Sequence, residues 1–281
     1  MLRALFLIGS LVAAGPLRAQ PTLPDSLPVP PNSVPHSLVE AQTVLPDSLP
    51  EQLPRLPDGL VRLRDVAPGV VQEMRYHTAY NFVGEPIDGY EAPTCILSEQ
   101  AARALAEVQA DLETRGYGLK VYDCYRPQRA VDHFVRWAGN LNDERMKDAF
   151  YPDEPKRYLF SRGYIARRSG HSRASTVDLT VVHVPAPPPT PYPTVDSLHT
   201  CTGALGARFP ETGLDMGTAY DCLSPRAATE NPEVGEEALA NRLMLRSVMM
   251  QHGFRNYQKE WWHYTLRDEP FPDTYFDVPV R

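Results

Sequence analysis

Two strand-like segments of this chain each place an ionisable side chain where a buried strand normally has an apolar one. Residues 177–182 read Val-Asp-Leu-Thr-Val-Val and contain Asp178, and residues 261–266 read Trp-Trp-His-Tyr-Thr-Leu and contain His263. β-Branched and aromatic residues favour strands, and a buried carboxylate is costly unless it is paired or binds a metal. The chain must therefore fold so that both strands bring these groups to a site that uses them.

The residues that flank these segments predict a catalytic metal site. His171 and Asp178 form a His-x6-Asp pattern, and Glu260 and His263 form a Glu-x-x-His pattern. Two imidazoles and one carboxylate match the protein ligands of a catalytic zinc, which keeps one position open. Glu260 is then the expected base for a water molecule. Each pattern alone is also typical of a polar surface, so the prediction depends on the strands in which the residues lie. The same ligands also suit other divalent metals.

The first residues are typical of a secretory signal peptide. Arg3 gives a positive start, residues 4–14 form an apolar run, and Ala19 offers a cleavage site. The run is too short for a stable membrane span, with an uncleaved anchor helix as the alternative. We therefore predict a signal peptide over residues 1–19 and an exported protein, periplasmic or secreted.

Proline content sets the expected bounds of the folded domain. Residues 21–57 are Pro-rich and contain Leu-Pro-Asp-Ser-Leu-Pro twice, and such a segment forms neither a helix nor a central strand. We predict a disordered, extended linker over residues 20–59, with partner docking as the alternative, and one folded domain over residues 60–281. A second Pro-rich stretch lies within a surface excursion at about residues 183–213.

Export changes the interpretation of the cysteines. The chain has four, Cys95, Cys124, Cys201 and Cys222, an even number that indicates disulfides in an oxidising compartment. Three pairings are possible. We favour Cys95–Cys124 and Cys201–Cys222 because each closes a short loop within one region. A zinc site built from cysteines is the alternative, but the spacings are too wide for Cys-x-x-Cys pairs.

The remaining patterns predict an α+β fold. The expected elements are strands at residues 70–76, 119–125 and 177–182 and a last strand that carries Glu260 and His263, with helices from the cap Ser98 to Gly116, from Pro127 to about residue 137, and over residues 236–251. No regular βαβ order is present, so we expect a single domain with a mostly antiparallel central sheet flanked by helices. The net charge of −7 argues against a nucleic-acid or anionic-membrane partner.

Several motifs in order make residues 60–281 resemble the zinc D-alanyl-D-alanine dipeptidases of the vancomycin-resistance type. The motifs are Asp88-Gly89-Tyr90, Tyr125-Arg126-Pro127-Gln128-Arg129-Ala130, Ser169-Gly170-His171-Ser172-Arg173, Asp178-Leu179-Thr180, Met216-Gly217-Thr218, Glu260-Trp261-Trp262-His263-Tyr264 and Leu266-Arg267-Asp268-Glu269-Pro270. The resemblance implies one Zn²⁺ per chain on His171, Asp178 and His263, with Glu260 as the catalytic base.

The resemblance also implies roles around the substrate, a small dipeptide with both ends charged. It implies that Arg126 stabilises the tetrahedral oxyanion. From the residues alone, an Arg at a strand end before a Pro-started helix fits this role, with a structural salt bridge as the alternative. The groups expected at the two ends of the dipeptide are Ser169 and Tyr90 for its carboxylate and Tyr76 and Asp221 for its ammonium group.

Departures from the family pattern leave other functions open. Ala174 stands where the family usually has glycine, which costs about 1 kcal/mol if the position needs a positive φ. The excursion over residues 183–213 is longer than in the family and could open the pocket. A peptidoglycan D,D- or L,D-carboxypeptidase is therefore the second hypothesis, and a non-catalytic cell-wall peptide-binding protein is the third. Retention of Glu260 argues against a mere binder, and the sequence predicts no oligomeric state.

Overall fold

A computed structural model of the chain describes residues 55–281. The predicted signal peptide and most of the predicted linker lie outside these residues. Within them the elements in chain order are β1 (Leu60–Arg62), α1 (Leu63–Val66), β2 (Val71–Gln72), β3 (Ile96–Ser98), α2 (Glu99–Glu113), β4 (Tyr117–Asp123), α3 (Gln128–Gly139), α4 (Lys147–Phe150), β5 (Thr176–His183), α5 (Glu236–Gln251), β6 (Phe254–Asn256) and β7 (His263–Leu266).

A five-stranded sheet organises the domain, with strand order β2-β4-β5-β7-β6. Only β2 pairs in parallel with its neighbour; every other pair in this sheet is antiparallel. β1 and β3 form a separate two-stranded antiparallel sheet. The predicted α+β class with a mostly antiparallel sheet is confirmed.

Helix α2 shows how the local sequence builds the core. Its cap is Ser98, whose side chain accepts a hydrogen bond from the Ala101 amide at 3.3 Å, and this satisfies a free amide of the first turn. Leu105, Val108 and Leu112 recur at helical spacing and are fully buried. They join Val177, Leu179 and Val181 of β5 in one hydrophobic cluster, because alternate residues of a strand share one face.

Two predicted strands are shorter than expected. Residues 70–76 contain only the two-residue strand β2, followed by a 3₁₀ turn at Arg75–His77. The last strand begins at His263 rather than before Glu260, which lies in the preceding turn. Here the amide of His263 donates to the carbonyl of Glu260 at 3.3 Å. This local turn bond replaces the strand pairing that the aromatic sequence predicts.

Both favoured disulfides are present. Cys95 is bonded to Cys124 and Cys201 to Cys222. The excursion over residues 183–213 contains one short 3₁₀ turn, Val195–Ser197, and otherwise follows an irregular path after the end of β5. Among residues 55–281, no helix is both long and apolar enough to cross a membrane.

Candidate metal centre

Three residues that face one another across the sheet form the base of the site. Asp123 of β4 is the register partner of Asp178 of β5, and Asp178 is the register partner of His263 of β7. Directly opposed residues of neighbouring strands point to the same face. A register shift in β4 between Val121 and Asp123 re-aims the end of that strand. The sheet thereby places three polar side chains in one row.

His171 completes a group of three potential metal ligands. It lies in the 3₁₀ turn Gly170–Arg173, just before β5. Its Nε2 atom is 3.3 Å from Oδ1 of Asp178 and 3.3 Å from Nδ1 of His263, and the last two atoms are 3.1 Å apart. In a tetrahedral zinc site with ligands at about 2.0–2.2 Å, neighbouring ligand atoms are about 3.3–3.6 Å apart. The three predicted ligands therefore converge as such a site requires.

The hydrogen bonding of these side chains fits a bound cation. Oδ1 of Asp178 is buried, and no residue in the described range offers it a hydrogen bond of good geometry, although imidazole nitrogens of His263 and His171 lie 3.1 and 3.3 Å away. Such a state is costly for a carboxylate unless a cation completes it. Nδ1 of His171 lies 2.7 Å from the carbonyl oxygen of Cys124. If Nδ1–H donates there, Nε2 keeps its lone pair for a metal. Burial lowers the pKa of His263, which favours the neutral, ligating form.

Glu260 lies beside the ligands without being one of the converging group. Its Oε2 atom is 3.5 Å from Nδ1 of His263. Burial raises the pKa of Glu260, and the negative charges of Asp178 and Asp221 raise it further. A carboxylate with raised proton affinity next to a metal site is suited to take and return a proton. The role of Glu260 as the base stays a prediction, and its side chain lies within reach of the candidate ligands.

Arg126 is held at the site by a carboxylate that sequence reasoning missed. Nε and Nη2 of Arg126 donate to Oδ2 of Asp123 at 3.0 and 2.8 Å, and Nη2 lies 3.8 Å from Oδ2 of Asp178. The guanidinium also lies over the rings of Tyr76 and Phe134, about 5 Å from each ring centre. Arg126 is thus both salt-bridged, as in the structural alternative, and fixed in the wall of the site.

The four residues expected at the ends of the substrate divide into three that line a cavity and one that does not. Tyr76, Asp221 and Ser169 line a cavity of about 380 Å³ together with Arg126, Glu260 and the ligands Asp178 and His263. The Tyr76 hydroxyl donates to Asp221 at 2.9 Å. Tyr90 is outside this lining, and its hydroxyl donates to Oδ1 of Asp123 at 2.6 Å. It contacts the site through Asp123.

Asp221 carries an unusual backbone and an unusual charge state. Its φ is 61°, a left-handed conformation that Asp tolerates better than most residues. Burial raises the pKa of Asp221 to about 7, with the charge of Asp178 as the next cause. A cation beside this carboxylate would restore its ionised form. The partnership of Asp221 with a substrate ammonium group stays a prediction.

Two further residues belong to the site, and only Asp123 had a signal in the sequence. Asp123 is fully buried at the end of β4, and the argument applied to Asp178, that a buried strand carboxylate needs a partner, applies equally to it. Tyr220 donates its hydroxyl to Oδ2 of Asp178 at 3.2 Å. It follows the Met216-Gly217-Thr218 motif, but nothing local to Tyr220 predicts that it reaches a metal ligand.

Ala174 ends the turn that carries His171 and adopts the left-handed conformation, with φ 60° and ψ 22°. Its amide donates to the carbonyl of His171 at 3.0 Å, and its carbonyl accepts from the Ser98 amide at 2.6 Å. These bonds hold the backbone in a region where a Cβ atom is unfavourable by about 1 kcal/mol. The position has a positive φ, which is the condition under which alanine in place of glycine costs stability.

A family model and three known proteins are similar to this chain over most of its length. The family model described as D-ala-D-ala dipeptidase, peptidase family M15, matches residues 57–186 and 195–281. A D-alanyl-D-alanine dipeptidase of Streptomyces coelicolor is 41% identical over 75% of this chain and 93% of its own length. Similar proteins of the same name from Enterococcus faecalis and Enterococcus faecium are 39% and 36% identical, over 75% and 76% of this chain and 93% and 94% of their own lengths.

Proposed function

Because this chain belongs to the D-alanyl-D-alanine dipeptidase family of peptidases, we propose that it hydrolyses D-alanyl-D-alanine to D-alanine in a zinc-dependent reaction. The observation that carries this proposal is the convergence of His171, Asp178 and His263, where Asp178 and His263 line one cavity together with Glu260. The three residues would hold one Zn²⁺ per chain. When bound there, the ion would polarise the peptide carbonyl and lower the pKa of water.

Glu260 would move the proton. It takes a proton from the attacking water and gives it to the nitrogen of the leaving D-alanine as the C–N bond breaks. Its burial and the nearby carboxylates raise its pKa, so it can accept the proton from water and still release it to the stronger base, the amine. A Gln at this position could neither accept nor return a proton.

Arg126 would stabilise the negative charge that develops on the carbonyl oxygen. Its side chain is only 12% exposed and is fixed by Asp123. A fixed, poorly solvated guanidinium stabilises a developing oxyanion more strongly than a mobile one, because little reorganisation is needed during the reaction. Tyr90 contributes by holding the other oxygen of Asp123.

The charged ends of the dipeptide explain the choice of a short substrate. We assign the ammonium group to Asp221 and Tyr76, and the carboxylate to Ser169, all three of which line the cavity. A longer peptide lacks a charge at one of these positions and leaves buried polar groups unpaired, which disfavours it. The cavity of about 380 Å³ lies at the small end of ligand sites. No residue of the 183–213 excursion lines it, so this excursion gives no support to the carboxypeptidase hypothesis.

The test is release of D-alanine by residues 20–281, measured by chromatography. We expect release from D-alanyl-D-alanine with zinc, and none with EDTA or in Glu260→Ala. Release of a terminal residue from longer cell-wall peptides, with no action on the dipeptide, would move the protein to the carboxypeptidase hypothesis. Tight dipeptide binding with no release from any peptide would leave the non-catalytic binding protein.

We further propose that the protein acts outside the cytoplasm, on D,D-dipeptides released from the cell wall. Support comes from the signal-peptide pattern of residues 1–19 and the Pro-rich linker of residues 20–59, and from two disulfides, which persist in oxidising compartments. Cell fractionation with N-terminal sequencing tests this. Recovery in the cytoplasm with Met1 still present would contradict it.

A further inference from the structure

The tripeptide Tyr-Asp-Cys occurs twice in this domain, at residues 122–124 and 220–222, and the fold brings the two copies together. The rings of Tyr122 and Tyr220 stack with their centres 4.3 Å apart and their planes 15° from parallel. Cys124 is bonded to Cys95, 29 residues away, and Cys222 is bonded to Cys201, 21 residues away. The two copies therefore form one covalently anchored support beside the metal centre.

The first copy holds the ligand His171. The carbonyl oxygen of Cys124 lies 2.7 Å from Nδ1 of His171, so it determines which ring nitrogen faces Asp178. Cys124 stands just beyond the end of β4, where the strand ladder no longer holds it, and its bond to Cys95 is fully buried. The disulfide thus anchors the carbonyl that orients this ligand.

The second copy holds the ligand Asp178. The Tyr220 hydroxyl donates to Oδ2 of Asp178 at 3.2 Å and leaves Oδ1 facing the two histidines. Residues 219–224 belong to no helix or strand. The bond from Cys222 to Cys201 is therefore the covalent anchor of an otherwise irregular segment.

We propose that the two disulfides are positioning elements of the metal centre. Each anchors one Tyr-Asp-Cys copy, and each copy supplies one outer hydrogen bond to a different metal ligand. Loss of such outer partners typically weakens metal binding by about 10–100-fold, because the ligand loses its orientation. The inference rests on the metal site of the proposed function, and not on which peptide is cleaved.

Zinc affinity, measured by competition with a chromophoric chelator, tests the inference without substrate. We expect Cys95→Ala/Cys124→Ala and Cys201→Ala/Cys222→Ala each to bind zinc about 10-fold more weakly than the wild type. Leu245→Ala is the matched control, since Leu245 is a buried residue of α5 that belongs to neither copy and to neither disulfide. The variant should destabilise the fold, and its zinc affinity should stay within twofold of the wild type. Wild-type affinity in both disulfide variants, or an equal loss in the control, would overturn the inference.

Tyr220→Phe separates positioning from a general structural effect. It keeps both disulfides and should by itself lower zinc affinity about 10-fold. Combined with Cys201→Ala/Cys222→Ala it should add little, because the disulfide acts through the Tyr220 hydroxyl. If a disulfide variant fails to fold, Tyr220→Phe decides the matter, and unchanged affinity overturns the inference.

The outcomes also separate this inference from the proposed function. A wild type that binds zinc but does not cleave D-alanyl-D-alanine removes the proposed function and leaves the affinity test valid. A wild type with no measurable zinc affinity overturns both.

Discussion

Two buried charged clusters lie in this domain, and they differ in how their charges are balanced. The ion-pair cluster consists of Glu73, Arg75, Lys120 and Glu211, two anions and two cations. Arg75 contacts Glu73 at 2.6 Å and Glu211 at 2.9 Å, and Lys120 contacts Glu73 at 2.7 Å. Every charge in the ion-pair cluster therefore has an opposite charge within reach, as buried ions require.

The site cluster has an excess of negative charge. It contains four carboxylates, those of Asp123, Asp178, Asp221 and Glu260, against the single guanidinium of Arg126. Three carboxylates remain unbalanced when the two histidines are neutral. One Zn²⁺ would supply two positive charges to this cluster, and the substrate ammonium group would pair with Asp221. Burial and the neighbouring carboxylates raise the pKa of Asp221 and of Glu260, and bound cations would lower both pKa values again.

The two clusters serve different purposes, one for the stability of the fold and the other for function. A balanced buried cluster holds the fold, and breaking it leaves an unpaired charge. An unbalanced cluster beside a cavity is held together by the surrounding fold and is completed by its ligands. Variants of the ion-pair cluster should therefore change stability, and variants of the site cluster should change activity.

The largest expected effect is on catalysis. Glu260→Gln should lower kcat/KM for D-alanyl-D-alanine about 10³-fold, because it removes the proton acceptor. The free energy of unfolding of the metal-free protein should not fall, since burial and the neighbouring carboxylates already disfavour the charge. Steady-state kinetics and urea unfolding measure both. A stability loss with retained activity would break the comparison.

The next effect is on stability alone. Glu73→Gln should lower the free energy of unfolding by about 3 kcal/mol, because it leaves Lys120 and Arg75 with too few partners. kcat/KM should stay within about twofold at a temperature where the variant is folded. Urea unfolding beside the same kinetic assay is the measurement. A large loss of activity in the folded variant would show that the ion-pair cluster also serves the site.

The loss of stability in Glu73→Gln should also depend on pH. Burial raises the pKa of Glu73, but Arg75 and Lys120 lower it more, and the net pKa lies below the ordinary value of 4.5. Because the pKa of Glu73 is lower in the folded state than in the unfolded state, its stabilisation is fully present above the unfolded pKa. This stabilisation is lost as the pH falls through the folded pKa. The difference in unfolding free energy between wild type and Glu73→Gln should therefore be greatest near pH 7 and shrink below about pH 4.5. A constant difference down to pH 3 would contradict this.

A smaller effect is expected at the ammonium end of the substrate. Asp221→Asn keeps the shape and tolerates the left-handed backbone but cannot neutralise a cation. A lost charge-assisted hydrogen bond is worth about 2 kcal/mol, so KM should rise about 30-fold with a smaller change in kcat. Zinc affinity should stay near that of the wild type, which distinguishes substrate binding from metal binding.

The smallest effect is a gain in stability. Ala174→Gly relieves the left-handed strain at the end of the His171 turn and should raise the free energy of unfolding by about 0.5–1 kcal/mol. Activity should not change. A loss of stability would mean that burial of the Ala174 methyl group outweighs the backbone strain.

The sequence predicted those parts whose signals are local. Helix α2 and strand β5 follow from apolar spacing. Asp178 is predicted as a metal ligand because a carboxylate buried in such a strand is costly unless it is paired or binds a metal. The predicted start of β7 was wrong. The aromatic-rich residues 261–266 favour a strand, but the amide of His263 bonds to the carbonyl of Glu260 in a turn, so the strand begins only at His263. The side chains of Asp123 and Tyr220 reach the site only through a strand irregularity and an irregular segment, and neither has a periodic signal.

The most direct measurement of the central claim is the zinc content of purified, dialysed protein by elemental analysis, with folding checked by circular dichroism. The account predicts one zinc per chain in the wild type and in Glu260→Gln, because that variant keeps all three ligands, and none in folded Asp178→Ala. Zinc retained by Asp178→Ala, or absent from the wild type, would contradict the assignment of His171, Asp178 and His263 as the metal centre.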